Sequence, residues 1–121
     1  MHSKHVLDGY KVLDFTQIVA GPTCTLMMAE MGAEVIKVEL APAGDGSRFG
    51  PVIIDGRSGY FVQHNRGKKD FCLDAKTSEG LKILKSLVSK VDVLVENYAP
   101  GVIGRLGLSY DVVKELSLIH I

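Results

Sequence analysis

The 121-residue chain contains no apolar run near the roughly 18 residues that a membrane-spanning helix needs, and its start, MHSKH, has no signal-peptide core. It has no excess of charge either. Its 14 basic and 14 acidic residues cancel, so bulk electrostatics point to neither nucleic acid nor a membrane surface as a partner. The only cysteines, Cys24 and Cys72, each sit inside an apolar segment, which fits reduced thiols in an interior better than a disulfide framework. His2, His5, His64 and His120 share no metal-ligand spacing with them, so the sequence offers no metal site. Two nucleotide signatures are also missing: no G-x-G-x-x-G follows the first apolar run, and Gly21-Pro22-Thr23 lacks the lysine of a phosphate-binding loop.

What is present fits one globular domain, with 46% apolar residues. The organising stretch runs from Lys11 to Glu39. Val12, Leu13 and Phe15 make a short apolar run suited to a strand covered on both faces, as in parallel sheets. Gly21 and Pro22 stop it, and Pro22, with φ fixed and no N–H to lose, suits the first position of a helix. From Thr23 the side chains are apolar almost all round, which predicts a largely buried helix. Gly32 stands where a left-handed C-terminal residue is wanted, and Val35, Ile36 and Val38 begin a second strand. Strand, helix and strand at this spacing imply a right-handed parallel crossover. The loop 17–21 then lies at a strand's carboxyl end and a helix's amino end, where open α/β sheets bind ligands.

Residues 1–10 read as a leader, with Leu7-Asp8-Gly9 as a turn. Residues 41–59, rich in Gly, Pro, Asp and Ser, read as a long irregular segment of the kind that is often functional. A short helix is expected over Tyr60–Arg66, a turn at Gly67-Lys68-Lys69, and a third strand over Asp70–Asp74 with Phe71 and Leu73 on one face. Thr77 caps the next helix, with Glu79 in its positive first turn. Leu81, Leu84, Val88 and Val91 form its apolar stripe, with Leu87 beside them. Asp92–Glu96 is a fourth strand, ending in the Asn97–Pro100 turn. Ser109 caps a last helix, with Leu108 and Val113 placed as a hydrophobic staple. The alternation predicts an α/β fold, a mostly parallel sheet with helices on both faces, incomplete at its carboxyl end. Residues 117–121, SLIHI, read as a truncated or foreign tail.

Three groups carry candidate chemistry. Arg57, Arg66, Lys68 and Lys69 form either a solvated turn before an edge strand or, joined by Arg105, a surface for a ligand with several phosphates. Asp14 and Glu96, within or at the ends of strands, are candidates for catalysis or for strand-end capping and salt bridges. Cys24, on its helix, reads as core rather than nucleophile, since a reactive thiolate needs exposure and positive neighbours.

The stretches LDGYKVLDFTQIVAGP, GAEVIKVE, GDGSRFGP, HNRGKKDFCLD and DVLVENYAPGVIGRLGLSYD together resemble the start of the family III CoA-transferases. That family contains formyl-CoA transferase, carnitine CoA-transferase and α-methylacyl-CoA racemase. They follow the family's order from Leu7 to about Leu116. The resemblance implies that residues 11–116 are the N-terminal part of a Rossmann-like large domain in an interlinked homodimer. It also implies a cytoplasmic enzyme, or a mitochondrial or peroxisomal one in a eukaryote. Coenzyme A, as substrate and without a metal, is expected over the carboxyl ends of the strands. Its contacts would fall on Val19 and Ala20, on Leu73, Asp74, Ala75 and Lys76, on Asn97, Tyr98 and Ala99, and on Arg105 for a phosphate. Leu73 and Ala75 would act through their backbones on the adenine side. The sequence departs from the pattern at Leu40, where many members carry Arg, and at Val19, where formyl-CoA transferases have Gln.

The activity implied is transfer of CoA between carboxylic acids, with acyl-CoA and an acceptor acid as partners. The family's nucleophile, an Asp that forms an acyl anhydride, falls beyond residue 121, so no catalytic residue is assigned here. The alternatives are a 2-methylacyl-CoA racemase of the same family, or a Rossmann-like binding domain without chemistry.

Overall fold

A computed structural model describes residues 4–116, and the expectation for the tail 117–121 lies outside them. Four strands, β1 (Lys11–Asp14), β2 (Glu34–Leu40), β5 (Lys69–Leu73) and β6 (Val93–Val95), form one sheet in the order β5-β2-β1-β6. All its pairings are parallel, with Leu13 opposite Ile36 and Leu94. Successive strands leave β1 first towards β5 and then, after β5, on its other side at β6. The reversal falls between β1 and β6, and it is there that an open α/β sheet leaves a crevice at its carboxyl edge.

Alternation along the strands divides the core in two. Leu13, Phe15 and Val38 face a layer containing Leu84 and Val88 of α3 (Ser78–Val88) and Leu108 ahead of α5 (Tyr110–Leu116). Val12 and Val35 face the other side, packed with Ala33 and with Met28 and Ala29 of α1 (Ala20–Glu30). Helices therefore cover both faces of the sheet, as the alternation predicts. Burial of large side chains such as Phe15, Leu13 and Leu84, all at 0% exposure, stabilises by about 1.5–3 kcal/mol each. The caps follow the sequence. Thr77 Oγ1 accepts from Gly80 N–H at 3.0 Å, and Gly32 has a φ of +101°. The leader residues within the described range are docked, with Leu7 N–H donating to Met31 O at 2.9 Å.

Three expectations need correction. Helix α1 starts at Ala20, so Pro22 is its third residue. It is also only half covered: Pro22, Thr25 and Leu26 are buried, while Met27 and Met31 are each 47% exposed. The sheet takes one side of α1 and the α2 segment packs beside it, leaving the face with Met27 and Met31 exposed. Cys24 and Cys72 are exposed free thiols rather than interior ones. Cys72 lies on edge strand β5, on the opposite side from half-buried Phe71 and Leu73.

The segment 41–59 is more ordered than its composition suggests. It holds a 3₁₀ turn (Gly46–Phe49) and a two-residue hairpin of β3 (Ile53–Ile54) with β4 (Arg57–Ser58), leading into α2 (Gly59–Asn65). Side chains from outside the turn fix it. Glu39 accepts from Asp45 N–H at 2.9 Å and pairs with Arg48, and Ser58 Oγ donates to Ser47 O at 2.7 Å. No helix of the described residues is long and apolar enough to cross a membrane.

Candidate functional site

Four loops leave the carboxyl edge of the sheet, one from each parallel strand, and their connections begin with Asn97. Its side-chain oxygen accepts from Gln17 N–H at 2.8 Å while its amide donates to Gln17 O at 2.9 Å. The amide thus prolongs the β1–β6 pairing beyond the last residue of each strand and closes the crevice floor. Gly21 permits this approach, because a Cβ there would lie 2.4 Å from Thr16 Cβ and 3.1 Å from Asn97 Cγ. Glu96 accepts from Tyr98 N–H at 2.7 Å, a strand-end cap rather than a reacting group. Burial pushes the Tyr98 hydroxyl above the usual phenol range.

Val19 and Ala20 follow the same floor. Val19 is the N-cap of α1 and supplies no capping side-chain bond. The N–H groups of Ala20 and Gly21 have no acceptor among the described residues. The carbonyls four residues earlier are already occupied, Thr16 O by Lys37 Nζ at 2.7 Å and Gln17 O by Asn97. The positive end of an 11-residue helix is left open beside exposed Ile18, Val19 and Ala20.

A second part of the edge gathers Ala75, Lys76 and Arg105. They line a shallow cavity of about 530 Å³ with Thr77, Leu81 and Gly107, at the first turn of α3 and the end of α4 (Val102–Arg105). The loop before it is preorganised. Lys76 N–H donates to Asp74 Oδ1 at 2.9 Å, Thr77 Oγ1 donates to Asp74 O at 2.9 Å, and Leu73 O accepts from Ala41 N–H at 2.9 Å. Exposed Lys76 and Arg105 with a helix amino end form a donor set suited to phosphate oxygens. The expected residues thus form two groups: Val19, Ala20 and Asn97 at the crevice, and Ala75, Lys76 and Arg105 around the cavity. Buried Ala75 and half-buried Tyr98 share one core cluster between them. Leu73 and Asp74 lead into the cavity loop, and exposed Ala99 follows Tyr98.

The basic set does not form one surface. Lys68 turns inward, its side chain 1% exposed, and donates from Nζ to Asp14 Oδ2, Pro22 O and Asn65 Oδ1 at 3.0, 3.0 and 2.9 Å. Burial pushes its ammonium below the usual lysine range, Asp14 pulling it partly back. Arg66 pairs with Glu30, and Lys69 with Glu34 at 2.7 Å. Arg105 stands apart from these residues, at the α3–α4 cavity. Asp14 also accepts from Thr16 N–H, Thr16 Oγ1 and Thr25 Oγ1 at 2.8, 2.5 and 2.6 Å, which makes it a structural hub.

Sequence reasoning missed a second buried pair, Lys37–Asp45, with Nζ and Oδ2 2.8 Å apart and both side chains almost fully covered. Burial pushes the Asp45 carboxyl up, but the ammonium of Lys37 and the hydrogen bonds from Ser47 outweigh it and leave it below its ordinary value. The available signal was a lysine in the middle of an apolar strand, a position that demands a buried partner.

A model of CoA-transferase family III matches residues 7–117. Succinyl-CoA:glutarate CoA-transferase of Homo sapiens is 42% identical over 118 residues, covering 97% of this chain and 27% of the relative. Formyl-CoA:oxalate CoA-transferase of Rhodopseudomonas palustris is 43% identical over 113 residues, covering 92% and 26%. The chain therefore spans about a quarter of the length of these relatives. Among solved structures, a hypothetical protein of Mycobacterium tuberculosis superposes with a TM-score of 0.87 at 38% identity, over 97% of this chain and 32% of that one. A CaiB/BaiF family protein of Brucella suis gives 0.86 at 37%, over 95% and 32%. With the family's pattern matched over nearly the whole sequence and its fold reproduced in the parallel sheet, the chain belongs to CoA-transferase family III.

Proposed function

We propose that this chain supplies the CoA-binding part of an enzyme that moves CoA between carboxylic acids. The observation that carries the reading is the cavity at α3, where Lys76, Arg105 and a helix amino end converge in a chain of this family. Arg105 and Lys76 would take phosphate oxygens of CoA. The open N–H groups of Ala20 and Gly21, with Tyr98 and Ala99 beside the crevice, would take the more distal part of the cofactor. The names of the relatives favour transfer over the racemase reading.

Among the described residues of this edge, Asp14 and Asp45 are each buried against a lysine, while exposed Glu96 and Asp74 accept from the backbone N–H groups of Tyr98 and Lys76. On this reading an aspartate outside residues 1–121 attacks the acyl-CoA thioester. Its oxygen forms a mixed anhydride as CoA leaves as thiolate; the thiolate attacks the aspartyl carbonyl and releases the donor carboxylate. The acceptor carboxylate displaces CoA thiolate from that aspartyl thioester to form a second anhydride, and the thiolate attacks the acceptor's carbonyl, giving the new acyl-CoA and freeing the aspartate. The whole enzyme would be an interlinked homodimer.

Calorimetric titration of the chain with CoA tests the binding claim. Arg105→Ala should weaken binding about tenfold, in line with loss of a charge-assisted hydrogen bond, and added salt should weaken the wild type more than the variant. No CoA binding by the folded wild-type chain would overturn the proposal. Turnover of acyl-CoA with an acceptor acid by this chain alone would overturn the placement of the nucleophile.

A further inference from the structure

The loop between β1 and α1 contains a conformational oddity. Ile18, a β-branched residue, has a φ of +70°, in the left-handed region that costs such a side chain most. The residue is 47% exposed, so burial does not compensate. What holds it is Asp45, 27 residues away. Asp45 Oδ1 accepts from Ile18 N–H at 3.2 Å and from Ser47 N–H and Oγ at 2.9 and 2.8 Å. Its Oδ2 is paired with Lys37, whose Nζ also donates to Thr16 O at 2.7 Å. The loop is thus gripped at Thr16 and at Ile18 by one buried ion pair, and Asn97 holds the intervening Gln17. Ile18 Cδ1 lies 3.0 Å from where a Cβ on Gly46 would stand, so the 3₁₀ turn packs directly on the strained residue.

We infer that Asp45, anchored by Lys37, is a positioning residue for CoA: it locks Ile18 in its left-handed conformation and thereby aims the open N–H groups of Ala20 and Gly21 at the ligand. Neither member of the pair touches the ligand. Strain held by surrounding structure is a recurrent feature of preorganised sites, and the backbone amides beyond Ile18 cannot keep their direction if its φ relaxes. The inference rests on the CoA reading above.

The test combines CoA titration with amide exchange on the folded chain. Asp45→Asn removes the charge that holds Lys37 and should weaken CoA binding about tenfold. Adding Ile18→Gly, which occupies positive φ without strain, should restore affinity to within about threefold of wild type, while leaving the lowered denaturation midpoint uncorrected. In the wild-type chain the Ile18 amide should exchange far more slowly than those of Ala20 and Gly21. Unchanged affinity in a folded Asp45→Asn chain would overturn the inference, as would a loss that Ile18→Gly does not repair. If the variant fails to fold, the wild-type exchange decides: an Ile18 amide as labile as that of Ala20 removes the clamp. Absence of CoA binding by wild type together with a protected Ile18 amide would reject the ligand and keep the lock.

Discussion

Replacing Lys68 by methionine isolates the energetics of the buried hub beneath the crevice. Lys68 and Asp14 are 1% and 0% exposed at their side chains. Methionine keeps most of the volume and flexibility of the lysine stem but removes the ammonium from three acceptors. Asp14 would then be a fully covered carboxylate held by two threonine hydroxyls and one backbone N–H. Breaking a buried pair by removing one partner costs about 3–5 kcal/mol, mostly because an unpaired charge stays behind. That is a large part of the roughly 5–15 kcal/mol that stabilises a domain. Asp14→Asn should be costly for the mirror reason, leaving the buried Lys68 ammonium without its counter-charge. The double variant Asp14→Asn with Lys68→Met removes both charges, so its cost should fall short of the sum of the singles by about 2–3 kcal/mol. Urea unfolding followed by far-UV circular dichroism on the four chains gives the cycle. Additive single losses, or a Lys68→Met loss below about 1 kcal/mol, would refute the reasoning.

Two further outcomes follow from other parts of the fold. Gly80→Ala should destabilise, although alanine is favoured in helices by about 1 kcal/mol. The new Cβ would stand 2.0 Å from Asp74 O in the backbone, and overpacking of that kind costs about 1–3 kcal/mol or more, so a raised melting temperature would contradict the packing described. Acid should loosen the segment 41–50 specifically. In Glu39, as in Asp45, burial raises the carboxyl but hydrogen bonds, here from Arg48 and Asp45 N–H, win and hold it below its ordinary value. A depressed folded value means that the stabilisation is fully present above the unfolded carboxylate range, about pH 4, and is lost as pH falls through the folded values. Asp70 works in the opposite sense, since burial and neighbouring Glu39 raise it. The denaturation midpoint of wild type should therefore fall below about pH 4 more steeply than that of Asp45→Asn, and equal slopes would argue against the assignment.

Local chemistry made much of the frame legible. Apolar runs at Val12–Phe15, Val35–Val38 and Val93–Val95, the cap at Thr77 and the stop at Gly32 act within a few residues of themselves, so their reading needs no knowledge of the fold. The order of the motifs likewise carried the family, because those short segments recur in sequence whatever they touch. Long-range contacts were different. The side of α1 left open, the exposure of both cysteines and the order within residues 41–59 depend on what the rest of the chain packs against. Composition around Gly46–Phe49 cannot reveal that Glu39 and Ser58 supply the turn's partners. Nor can charge counting separate Lys68, drawn inward by Asp14 over 54 residues of chain, from Lys69 beside it at the surface. Residue order and local pattern were enough for a parallel α/β unit with an open strand-to-helix loop. Which charges are buried as pairs and which stay exposed for a ligand emerges from the folded chain alone, because the environment that sets the cost of a charge is assembled from residues far apart in sequence.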